Sequence, residues 1–102
     1  MTFSFHPYAI AEFNSAAEYY QEREDSQGLR FTEEVYSTIA RILEYPESGS
    51  PLSENTRRAL LSRFPVGLIY QLKEKHIYII AIADLRRKPE YWKERILKDY
   101  GE

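Results

Sequence analysis

The stretch Asp84-Leu85-Arg86-Arg87-Lys88-Pro89-Glu90-Tyr91-Trp92 puts three cations, two carboxylates and two aromatic rings into nine residues, directly after an apolar run. A guanidinium grips a carboxylate or phosphate in a planar fork, and a phenol at the right site moves a proton. Three more arginines, Arg57, Arg58 and Arg63, precede the run on an apparent strand. Neighbouring strands lie about 5 Å apart, so both groups can meet as one basic face. Such a face would dock an acidic partner. The plainer reading makes it solvated surface, with Arg87 or Arg63 paired to Asp84. Tyr91 beside Trp92 reads first as a packing pair. Trp92, the only tryptophan, is expected to plug the end of the core, with an interface anchor as the alternative.

His6 precedes a proline and His76 falls in an apparent hairpin turn, so neither has a companion at metal-ligand spacing. Both are expected at the surface, and no metal or cofactor is expected. With no cysteine, disulfides, thiol nucleophiles and Cys-ligated zinc are excluded, and a reducing, cytoplasmic setting is the default. The longest apolar run, Ile77 to Ala83, is too short to span a membrane, and the first residues lack a secretory pattern.

Net charge is −2, unevenly spread. Residues 1–56 carry three basic against ten acidic side chains, and residues 57–102 carry eleven against six, giving −7 and +5. The C-terminal half therefore presents a field that attracts anionic partners.

The elements that must position these groups follow from periodicity. The 102 residues suit a single domain, residues 1–102, burying roughly two-thirds of its unfolded surface. After the alternating TFSF, Pro7 suits a first helical position, and Ala9, Phe13, Ala16, Ala17 and Tyr20 recur at helical spacing to about Arg23. EDSQG interrupts, and a second stripe of Phe31, Val35, Ile39 and Ile42 runs to Tyr45, where Pro46 stops it. The two helices should form an antiparallel hairpin. PESGSPLSENT then reads as an exposed loop.

From Arg57 the period changes to two. Leu60, Ser62 and Phe64 are expected on one face of a strand, with Ala59, Leu61 and Arg63 on the other; VGLIYQLK and IYIIAIA follow as two more strands. The last, apolar nearly throughout, is expected at the centre of the sheet and buried on both faces. A short terminal helix is expected from Pro89 and Glu90, carrying Tyr91, Trp92, Arg95 and Ile96. Most of the nine tyrosines are expected in the core, with some left to line a groove. The fold class is α+β, a helical hairpin on a small, mostly antiparallel sheet.

Four stretches in this order, FHPYAIAEFNSAAEYY, GLRFTEEVYSTIARILEYPESG, RRALLSRFPVGLIYQL and IYIIAIADLRRKPEYWKER, cover nearly the whole chain. Together they resemble the RelE/ParE superfamily of bacterial toxins from type II toxin–antitoxin modules. The resemblance implies a small toxin, of the kind that stabilises plasmids, held inactive by a cognate antitoxin that wraps it with a helix and a strand. ParE-like members act on DNA gyrase; RelE-like members cleave messenger RNA on the ribosome. A homodimer or a toxin–antitoxin hetero-oligomer is implied as well.

One fold with two chemistries leaves the choice to the residues. RNA cleavage needs a base, an acid and cations around the phosphate. RelE-like enzymes place an arginine in the strand matching VGLIYQL, where this chain aligns Gly67. Many relatives carry a histidine where Asp84 stands. Tyr91 matches their C-terminal tyrosine and is the one candidate for a catalytic role. The reading is a toxin acting by binding, closer to ParE than to RelE, with Arg58, Arg63, Arg86, Arg87, Tyr91 and Trp92 as contact residues for target or antitoxin. The rivals are an mRNA endonuclease working on the ribosome, and a degenerate member that binds its antitoxin without toxicity.

Overall fold

A computed structural model of the chain describes residues 1–52, 55–88 and 90–97. The elements run β1 (Thr2–Phe5), α1 (Pro7–Arg23), α2 (Gln27–Glu44), β2 (Ser50–Pro51), β3 (Thr56–Leu60), β4 (Val66–Lys73) and β5 (His76–Asp84), then one 3-10 turn at Lys93–Arg95. Pro7 sits in the first helical turn of α1, where its missing N–H is no loss, and the His6 ring caps the helix by accepting the Tyr8 N–H at 3.0 Å. Only Glu24 to Ser26 separate the helices, because Ser26 takes a left-handed φ of 74° and α2 absorbs Gln27 and Gly28. Gly28 is needed there. A Cβ on it would lie 2.8 Å from Gln21 Cβ and 2.9 Å from the Ala17 carbonyl, so only glycine lets the helices approach this closely. Tyr45 closes α2 with its N–H on the Arg41 carbonyl.

The strands form a five-stranded sheet in the order β1-β5-β4-β3-β2, antiparallel except for the β1–β5 pair. The α+β architecture and the β3-β4-β5 meander agree with the sequence reading. Two details differ. A two-residue strand, β2, forms within the segment read as loop, and β4 rather than β5 is the central strand.

Both faces of the sheet are covered. Phe13, Phe31, Val35, Ile39 and Ile42 from the helices pack on Leu68, Tyr70, Ile77, Ile79 and Ile82 on the inner face. On the outer face Trp92 and Ile96 pack on Ile69, Ile80, Ala81 and Ala83. A bulge allows this. Tyr70 pairs with Ile79 and Ile69 with Ala81, leaving Ile80 without an opposite residue, so Ile80 and Ala81 share the outer face while Ile79 and Ile82 share the inner one.

The expected terminal helix is a correction. Pro89 lies outside the described residues, Glu90 has a left-handed φ of 74°, and the segment makes only the 3-10 turn. Lying flat on the sheet buries Trp92 and Ile96 together. Phe64 is a second correction, since β3 ends at Leu60 and the following bend returns Phe64 to the inner face, against Tyr20 and Phe31 at ring distances of 4.6 and 5.2 Å. The tyrosines divide. Tyr70 is fully buried and Tyr20, Tyr78 and Tyr91 partly so, but Tyr8, Tyr19, Tyr36 and Tyr45 are exposed, and Tyr100 lies outside the described residues. No helix among the described residues is long and apolar enough to cross a membrane.

Candidate functional site

β1 stops pairing at Ile79, so the outer edge of β5 continues beyond it without a neighbouring strand. Buried backbone groups there need other partners. The Ile80 carbonyl accepts from Arg95 Nη1 at 3.0 Å, and the Ile82 N–H donates to Glu12 Oε1 at 3.0 Å. Glu12, on α1, and Arg95 also pair with each other, Nη1 to Oε1 and Nη2 to Oε2, both at 2.9 Å. Both side chains are mostly buried, at 17% and 12% exposure. The Tyr91 hydroxyl donates to Glu12 Oε2 at 3.0 Å. One carboxylate thus ties α1, β5 and the C-terminal segment together.

These bonds define Tyr91 chemically. Burial above all, then the neighbouring Glu12 carboxylate, pushes its phenol up to about 12. The Arg87 guanidinium carbon lies 3.8 Å from the centre of the same ring, a cation–π contact that fixes both.

Two clefts meet at Arg87 and Tyr91. One, of about 300 Å³, runs between α1 and the end of β5 and is lined further by Tyr19, Tyr20, Ile82 and Arg86. The other, of about 450 Å³, lies on the outer sheet face, where Arg58 and Lys88 stand over Ile69, Ala83 and Trp92. Arg58, Arg87, Tyr91 and Trp92 therefore come together, and Arg86 borders the adjoining cleft.

Arg63 does not join them. It lies in the bend after β3 on the helix side, where Glu34 accepts both the Ser62 and Arg63 N–H groups, and it lines a separate cleft with Arg30 and Glu34. Alternation also separates Arg57 from Arg58. Arg57 points back to the α2–β2 loop and donates to the Glu47 and Gly49 carbonyls at 2.9 and 2.8 Å, while Arg58 takes the outer face. The six cations anticipated as a single face are divided by the pleat and the bend.

Asp84 pairs with Arg86, not with Arg87 or Arg63. Arg86 Nε and Nη2 donate to its two oxygens at 2.9 and 3.0 Å, and the Arg86 N–H adds a third bond at 2.9 Å. The side-chain hydrogen bond from Arg86 holds the Asp84 carboxyl below its ordinary range. Gly67 has a spatial reason. A Cβ there would meet Arg58 Cγ and Cδ at 3.1 and 3.2 Å, so the Arg58 stem crosses the space a side chain at 67 would fill.

His6 is a helix cap, as described. His76 bridges two hydroxyls, Thr2 Oγ1 at 2.6 Å from Nδ1 and Ser4 Oγ at 2.8 Å from Nε2. Among the described residues no group of three His, Cys, Asp or Glu could hold a metal. Sequence reading missed Glu12 altogether. Its only signal was a carboxylate one position before Phe13 on the apolar stripe of α1.

Comparison with known proteins agrees with the fold. No curated protein sequence matches the chain significantly. Among solved structures, a chain of the chromosomal ParDE toxin–antitoxin system from P. aeruginosa superposes with a TM-score of 0.73 at 18% identity, covering 84% of this chain and 97% of that one. It shares the fold. The family described as the ParE toxin of the type II toxin–antitoxin system parDE matches residues 3–89. With the match running from within β1 through both helices and the other four strands, the chain belongs to the ParE toxin family of type II toxin–antitoxin systems.

Proposed function

We infer that this protein is neutralised by a cognate antitoxin and inhibits its target by docking, with DNA gyrase as the target that the family membership favours and the cytoplasm as the setting. The supporting observation is the state of Tyr91 and Asp84, which line the clefts at the positions where the resemblance to RelE-like enzymes would put a tyrosine and a histidine. The Tyr91 hydroxyl is spent on Glu12 and the Asp84 carboxylate on Arg86. By contrast Arg58, Arg87 and Lys88 have no ion-pair partner among the described residues. Cations without a carboxylate partner, beside a phenol and a carboxylate that are both already engaged, suit recognition better than bond cleavage.

The test is a gyrase supercoiling assay run beside a translating-ribosome cleavage assay on one preparation, with and without the co-expressed neighbouring gene product. Inhibited supercoiling that the neighbour reverses is the expected result. Robust messenger RNA cleavage abolished by Tyr91→Phe would replace this reading with the nuclease one, and silence in both assays would favour a degenerate toxin.

A further inference from the structure

Arg58 Nε is shut off from solvent and has no hydrogen-bond partner among the described residues. A guanidinium that is partly desolvated with no counter-anion is costly, and an anion in the adjoining cleft would relieve that cost. The cleft supplies two further cations, Arg87 and Lys88, that have no ion-pair partner among the described residues.

The rest of its lining narrows the ligand. Leu52, Leu85 and Ile69 make apolar walls, and Leu52 and Leu85 are 39% and 42% exposed, so they are available to be covered. Asp84 and Glu90 also border the cleft and disfavour a ligand with a charge at every unit, such as a nucleic-acid backbone. Base stacking has little purchase either. One face of Tyr91 is taken by Arg87, and Trp92 is 6% exposed.

Resting on the docking reading above, we propose that the outer-face cleft binds one carboxylate side chain of a partner segment whose neighbouring residues are aliphatic. Arg58 is the anchor and Gly67 is what allows its stem to lie flat across β4. The carboxylate meets the exposed end of the Arg58 guanidinium and Arg87, and the aliphatic neighbours cover Leu52 and Leu85.

The experiment follows the arginine Nε–Hε signals of the ¹⁵N-labelled full-length protein by NMR, with the Arg58 signal identified by its loss in Arg58→Lys. The probes are the blocked peptides acetyl-Glu-Leu-Val-amide and acetyl-Gln-Leu-Val-amide and a uridine tetranucleotide. The Glu peptide should move the Arg58 signal saturably and bind about tenfold or more tighter than the Gln peptide, as expected for a charge-assisted hydrogen bond. Gly67→Ala, which alters no charge, should weaken the Glu peptide several-fold by crowding the Arg58 stem. Equal binding of the two peptides, tighter binding of the tetranucleotide, or an unmoved Arg58 signal would overturn the proposal. An antitoxin that still co-purifies beside an unmoved Arg58 signal would sink this inference alone; failure of the antitoxin to bind would sink the docking reading beneath it.

Discussion

Glu12 and Arg95 stand 83 positions apart in the chain and meet through two parallel hydrogen bonds of 2.9 Å. Their pairing is the hinge of the C-terminal half. The carboxylate also holds the Ile82 N–H and the Tyr91 hydroxyl, and the guanidinium holds the Ile80 carbonyl.

Removing one partner of a buried ion pair leaves the other charge stranded, at a cost of about 3 kcal/mol or more. Glu12→Gln should therefore lower thermal stability strongly. It should also loosen the segment around Trp92, read as a red shift in the emission of the protein's one tryptophan. A double-mutant cycle with Arg95→Met should show coupling; additive losses would mean the two residues act independently.

Tyr91, with its folded value pushed up to about 12, contributes stability that is complete below the ordinary tyrosine value of 10.0 and fades as pH rises between the two. Burial also raises Tyr20, Tyr70 and Tyr78, so ultraviolet titration should show a late-ionising group of phenols that loses one member in Tyr91→Phe. Glu12→Gln should bring that ionisation earlier, because the carboxylate raises it. An unchanged late phase in Tyr91→Phe would assign the signal elsewhere.

His6 works in the opposite sense. Burial first, and then the charge of Arg95, lower its value below the ordinary 6.5. Its capping role also needs the neutral ring, since Nδ1 accepts the Tyr8 N–H. This stability is present above the ordinary value and is lost as pH falls through the lowered one. His6→Asn keeps a capping side chain without the titration, so its stability should vary less between pH 7 and 5 than that of the parent protein. Parallel profiles would remove His6 from the account.

Gly28→Ala should destabilise by about 1–3 kcal/mol, although alanine favours a helix, because the new methyl would meet Gln21 and the Ala17 carbonyl below 3.0 Å. A gain in stability would mean the hairpin can open to admit it.

Arg86 is largely exposed and its pair with Asp84 is a surface one, so reversing Arg86 and Arg87 to Glu should leave the circular dichroism spectrum intact. Association with the antitoxin should slow and lose part of its salt dependence. An unchanged on-rate and salt slope would make these two cations solvated surface.

Much of the fold was legible along the chain, because burial against one layer imposes a period and the period shows in the sequence. The stripe from Phe31 to Ile42 dictated α2, the proline after Tyr45 ended it, and the alternation from Val66 onward required a half-turned strand. These signals need only near neighbours. What lies opposite a side chain in space leaves no such mark. That the bend after β3 carries Arg63 to the helix side and away from Arg58, that a bulge at Ile80 gives the outer face two consecutive residues, and that Glu12 gathers Tyr91 and Arg95 were all decided by tertiary structure. The last depends on which distant backbone groups of β5 were left without a neighbouring strand, and only the folded chain brings a carboxylate from the first helix within reach of them.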